Sequence, residues 1–125
     1  MGKYLHVIKR HESYGDSEGF NWKYEEFNEL LELLGCYMCH EEDIFDRFEC
    51  DVEEYKRALD LLKLYKANGK TEEVENVFEN SEAACLDDIE PYITELGGID
   101  YIINKMEAFY NERDMESDWI TFSAW

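Results

Sequence analysis

The two ends of the chain alternate apolar and polar residues, whereas most of what lies between repeats apolar residues at three- and four-residue intervals. Period two marks a strand with one buried face; the three-and-four interval marks a helix with one buried side. Lys3 to Arg10 places Tyr4, His6 and Ile8 on one side and Leu5, Val7 and Lys9 on the other. Trp119 to Trp125 is β-branched and aromatic, and it alternates too. A hydrophobic C-terminus is usually tied into the fold, and the N-terminal strand is its natural neighbour. The pattern predicts an α+β fold: a small sheet of N- and C-terminal strands packed against four or five helices.

Punctuation residues divide the middle. Glu12 to Asn21, with Gly15, Asp16, Ser17 and Gly19, reads as a loop. Phe27, Leu30, Leu31 and Leu34 recur at helical spacing, Asn21 is a candidate N-cap and Gly35 a stop, which predicts a helix over 22–34. Residues 44–50 hold a possible third strand ending near Cys50. Asp51 then caps a second helix with Tyr55, Ala58, Leu59, Leu62 and Tyr65 on its buried side, ended by Asn68-Gly69. Thr71 caps a third, with Val74, Val77 and Phe78 inward. Asp88-Ile89-Glu90-Pro91 opens a short helical turn, since Pro is tolerated in a first turn, and Gly97-Gly98 breaks it. Ile102, Ile103, Met106, Phe109 and Tyr110 predict a last helix from Ile99 to about Glu112. One Pro, seven Gly and no internal repeat among 125 residues argue for a single domain over 1–125.

The charge balance excludes several functions. The chain carries 31 Asp and Glu against 12 Lys and Arg, a formal net charge of −19. Direct binding of nucleic acid needs cations opposite phosphates, so it is not expected. A charged chain is disordered only when large apolar side chains are scarce, and here they make up 45% of residues with 15% aromatic. No apolar run is long enough to span a bilayer, and Met1 to His11 contains no signal-peptide stretch. A cytoplasmic, non-catalytic protein with reduced thiols is the expectation.

Catalytic and metal-binding patterns are thin. There is no phosphate loop, no dinucleotide-binding glycine motif, no nucleophile elbow and no H-E-x-x-H. Cys36-Tyr37-Met38-Cys39-His40 spells C-x-x-C-H, which admits three chemistries. Haem attachment takes place in exported proteins, for which there is no signal. A redox dithiol needs a helix N-terminus to lower a thiol pKa, but Cys36 follows a helix end and precedes Glu41, Glu42 and Asp43. A zinc site using Cys36 and Cys39, then His40, Cys50 or Cys85, has one correctly spaced pair and no matching second pair. Buried thiols filling small spaces are the simpler account. A small zinc-stabilised module therefore stands as an alternative, beside an adaptor that binds through an apolar patch near the tail. No cofactor is expected on the main reading.

The acids are unevenly placed along the chain. Residues 56–70 carry a net +4 and residues 71–118 a net −13. If the third helix continues, Glu72, Glu75, Glu79 and Glu82 share one side, with neighbours roughly 5–6 Å apart. A second group is Glu41, Glu42, Asp43 and Asp46. Crowding like charges costs stability, and solubility needs a net charge of only about 2–8 in magnitude for a small domain. These eight carboxylates are the candidate contacts to a basic, nucleic-acid-binding partner protein. This short, acidic, aromatic-rich, motif-free profile is similar in kind to phage-encoded inhibitors of host defence nucleases, the anti-restriction and anti-CRISPR proteins that mimic DNA. The resemblance is compositional and transfers no residue roles. It implies an inhibitor that fills a partner's nucleic-acid channel.

Overall fold

A computed structural model describes residues 4–10, 13–20, 23–41 and 46–124. In chain order the elements are β1 (Leu5–Arg10), β2 (Ser13–Gly19), α1 (Tyr24–Leu33), β3 (Cys39–Glu41), β4 (Asp46–Asp51), α2 (Val52–Asn68), α3 (Glu72–Asn80), α4 (Leu86–Glu95), α5 (Ile99–Glu112) and β5 (Trp119–Ala124). The fold is α+β. The strands form one antiparallel sheet in the order β2-β1-β5-β4-β3. The chain's last strand thus lies at the sheet centre, with Val7 opposite Phe122 on one side and Phe48 opposite Phe122 on the other.

Alternation fixes which face of the sheet is covered. Leu5, Val7, Phe48, Cys50, Ile120, Phe122 and Ala124 are buried. Phe122 meets Phe27 of α1, Tyr55 of α2 and Phe109 of α5 at ring-centroid distances of 6.4, 6.0 and 5.4 Å, so these three helices share one side of the sheet. Phe20 stacks on Phe27 at 4.2 Å and closes the end of this aromatic core. Helices α3 and α4 form an outer layer, α3 against α2 and α4 against α1 and α5.

The helix ends follow local chemistry. Asp51 accepts from the Glu53 amide at 3.2 Å, and Thr71 Oγ1 accepts from the Val74 amide at 3.2 Å, as their N-cap positions predict. After α1, Gly35 adopts φ +85°, its amide donates to Glu32 O and the Cys36 amide to Leu31 O, a Schellman stop. A side chain at Gly35 would also press on Ser81 O, 3.2 Å from an added Cβ. Gly97 and Gly98, at φ +107° and +99°, separate α4 from α5.

Three expectations are corrected. The stretch read as a loop contains β2, whose Gly and polar residues are accommodated because it is an edge strand with two register shifts against β1. Pro91 does not open a helix: α4 starts at Leu86, after Cys85 as N-cap, and Pro91 sits exposed at its sixth position. α1 begins at Tyr24 with Lys23 at the N-cap position, while Asn21 lies outside the described residues. A short strand not foreseen, β3, pairs with β4 and places Cys39 opposite Glu49.

Candidate functional site

Helix α3 is held to the body by Val74 and Phe78, both buried, and turns the rest of its side chains to solvent. Glu72, Glu75 and Glu79 are exposed. At about 100° per residue they fall within roughly 60° of the helix circumference, with adjacent members about 5–6 Å apart. Among the described residues none of the three makes an ion pair. Two parts of the expected pattern are corrected. α3 ends at Asn80, so Glu82 is off the row, exposed in a turn with φ +62°. Val77, expected inward, is 42% exposed. With Leu64 and Val74 it borders a cleft of about 540 Å³ between α2 and α3, rimmed by Glu72 and Glu73.

The second expected group is less accessible to description. Glu42 and Asp43 lie outside the described residues; Glu41 and Asp46 are placed as backbone at the facing ends of β3 and β4.

The lysines of α2 explain why α3 stands apart. Lys66 pairs with Asp100 at 2.6 Å and Lys63 with Glu107 at 3.5 Å, both on α5. Just beyond α2, Lys70 binds Asp87 and, at 3.2 Å, Glu90, both on α4. These hydrogen bonds push the Lys70 ammonium pKa above its usual value. Lys56 spends its charge on Asp60 within α2 at 2.7 Å. The +4 segment therefore folds against the acids of α4 and α5 and leaves those of α3 uncompensated.

Helix α1 carries a further acidic row, without a salt bridge among the described residues, that the periodicity of its apolar side did not single out. Glu25, Glu29 and Glu32 are exposed at spacings of four and three residues, and the Tyr92 hydroxyl donates to Glu29 Oε2 at 2.7 Å. That bond raises the Tyr92 phenol pKa. The four-and-three spacing was available in the sequence as a signal. Neither α1 nor α3 has a basic residue in its last turn, where Glu32 and Glu79 face the negative end of the helix dipole. Acids placed there cost about 0.3–1 kcal/mol each, so helix stability does not account for them.

The cysteines divide by burial. Cys36 and Cys50 are fully buried, Cys39 and Cys85 exposed, and all four are free thiols. Cys36 and Cys50 hydrogen-bond side chain to side chain, which together with burial drives the Cys50 thiol pKa far upward. The structure thus brings together two of the suggested zinc ligands, Cys36 and Cys50, inside the apolar core, with Cys39 turned to solvent. The His40 side chain lies outside the described residues. Among the described residues no group of three or more His, Cys, Asp or Glu is arranged to hold a metal.

Of the large aromatics near the Gly-rich stretch and in the tail, Phe20 is buried and Trp119 is 46% exposed. Trp22, Trp125 and the Tyr14 side chain fall outside the described residues. Met115, 58% exposed, lies near Trp119 in sequence. Among the described residues no helix is long and apolar enough to cross a membrane. No family model matches the chain, and comparison with curated proteins and with solved structures returns no match.

Proposed function

We propose that this is a non-catalytic acidic binding protein that occupies a basic, nucleic-acid-binding surface of a partner protein and keeps nucleic acid out. The observation that carries this reading is the row Glu72, Glu75 and Glu79, exposed on a capped, core-anchored helix with no lysine or arginine among the described residues paired to it. A folded helix spaces its carboxylates by roughly 5–6 Å, the same order as successive phosphates of a nucleic-acid strand. A basic channel then meets anions already held in array, without the ordering cost that a flexible acidic tail brings. Such an encounter is steered by charge, fast and salt-sensitive. The cytoplasm, where nucleic-acid enzymes are plentiful, is the proposed compartment.

The test is mutual exclusion. Proteins captured from a host lysate at low salt and released at high salt are purified and offered a duplex oligonucleotide with and without this protein. Competition between the two for one partner is expected. A partner that holds both at once, or capture that high salt does not weaken, rules the mimicry out.

A second reading draws on Met115 and Trp119, exposed near the tail. An adaptor binding through that apolar patch keeps its partner at high salt, and Trp119→Ala releases it.

A further inference from the structure

Asn68-Gly69 is the single Asn-Gly step in the sequence, and it falls where α2 ends. Such a step is prone to lose its side-chain amide, because Gly has no Cβ to hinder attack by its own backbone nitrogen. The reaction has fixed demands. The Gly69 nitrogen gives up its proton and closes on Asn68 Cγ; the Cγ–Nδ2 bond breaks, and Nδ2 leaves as ammonia with that proton. Water then opens the resulting five-membered imide at either carbonyl, leaving an aspartyl or isoaspartyl residue at position 68. The fold holds both reacting groups off this path. The Gly69 amide donates to Tyr65 O at 2.7 Å, and Asn68 Nδ2 donates to Leu64 O at 3.1 Å. The Asn68 carboxamide is thereby drawn back over the preceding turn, as helical side chains lie, while the Gly69 nitrogen stands on the other side of the residue. Helix ends fray, and here the exit is clamped. Lys70 binds Asp87 and, at 3.2 Å, Glu90 of α4, and the Thr71 amide donates to Gly69 O at 3.1 Å.

We infer that Asn68-Gly69 is a conformationally gated deamidation site, closed while the last turn of α2 is formed and Lys70 holds α4, and converted irreversibly when that turn opens. The product cannot restore the closed state. A carboxylate has no N–H to give Leu64 O, and it places a negative charge at the negative end of the α2 dipole. Position 68 also lines the cleft between α2 and α3, with Glu72 among the other lining residues. Conversion therefore loosens the turn that had prevented it and adds one anion to the acidic surface around α3. The chemistry needs no partner and stands apart from the channel-blocking reading.

The experiment incubates the whole protein at neutral pH and body temperature, beside a peptide of residues 66–71 that is too short to hold a helix. Intact mass follows the conversion, and peptide mapping with isoaspartyl detection locates it. Asn68 in the folded protein should convert more slowly than in the peptide by roughly tenfold or more, since reaction waits on local opening. Lys70→Met, at an exposed position, should raise the folded-state rate by roughly threefold, the scale of exposed ion pairs. High salt screens the same pairs and should raise the rate relative to the peptide in the same salt, which keeps the test decisive if Lys70→Met does not fold. Asn68→Gln should remove the signal from this step. The proposal is overturned if Asn68 converts as fast in the folded protein as in the peptide, or if mapping places the conversion at another Asn. It is equally overturned if neither Lys70→Met nor high salt changes the folded-state rate. No partner enters these incubations, so their outcome is separate from that of the mutual-exclusion test.

Discussion

Helix α3 and the α4–α5 face are both rich in acid and behave differently. On α4 and α5, Asp87, Glu90, Asp100 and Glu107 are each met by a lysine in the C-terminal half of α2 or just beyond it. On α3, Glu72, Glu75 and Glu79 are met by none among the described residues, although α3 follows α2 directly and packs against it. Counting charge along the sequence merges the two regions into one acidic block of net −13. The folded chain separates them into a face largely paired with lysines and one that, among the described residues, is bare. A surface of acids is thus not a surface of available charge: what a partner meets is the fraction that the protein's own cations leave over.

The contrast can be broken at its base. Phe78, 1% exposed, is one of two residues that fasten α3 to the core. Phe78→Ala should cost about 3–5 kcal/mol, read by denaturant unfolding, and abolish partner binding as α3 loses its fixed position. Binding that survives the loss of α3's anchorage means the array need not be rigid. Next in size, Glu72→Gln/Glu75→Gln/Glu79→Gln should weaken a basic partner by roughly 100-fold and flatten its salt dependence, acting mainly on the association rate. The matched control, Asp87→Asn/Asp100→Asn/Glu107→Gln, removes three acids from the lysine-paired face and should change binding no more than about threefold, the size of an ordinary surface effect. Equal losses in the two triple variants erase the distinction between the regions. Thr71→Ala removes the α3 cap and should cost about 1 kcal/mol, with hydrogen exchange accelerated in the first turn of α3 and unchanged in α5. The smallest effect belongs to the paired face: Lys66→Met breaks an exposed ion pair with Asp100 and should cost no more than about 1 kcal/mol. That loss should fade in high salt, and a thermal melt at two salt concentrations reads it.

Much of the architecture was legible because it is written in local patterns. Phe27, Leu30, Leu31 and Leu34 announce α1, and the left-handed turn at Gly35 closes it. Asp51 and Thr71 cap the helices they were expected to cap. The termini meet as β1 and β5 because both alternate and each needs a strand beside it. Other elements were hidden because their cause is not local. β2 forms from a Gly-rich polar stretch that is held by pairing with the backbone of β1 and by packing against α5. Pro91 falls inside α4 because the helix starts earlier, at Leu86, whose apolar side chain is fully buried. The candidate site divides in the same way. The acidic spacing on α3 could be read directly, but the end of the helix at Asn80 removed Glu82 from it. The spacing of Glu25, Glu29 and Glu32 on α1 was equally visible.

By itself the sequence determined where most helices and three of the five described strands run, which side of most of them is apolar, and that anions outnumber cations by 19. Those properties follow from side-chain periodicity and from simple counting, and both survive in any compact arrangement. Only the tertiary structure decided which anions remain available. Ion pairs form between groups a few ångströms apart in space, and Lys66 and Asp100, 34 positions apart in the chain, become neighbours only once α2 and α5 pack together.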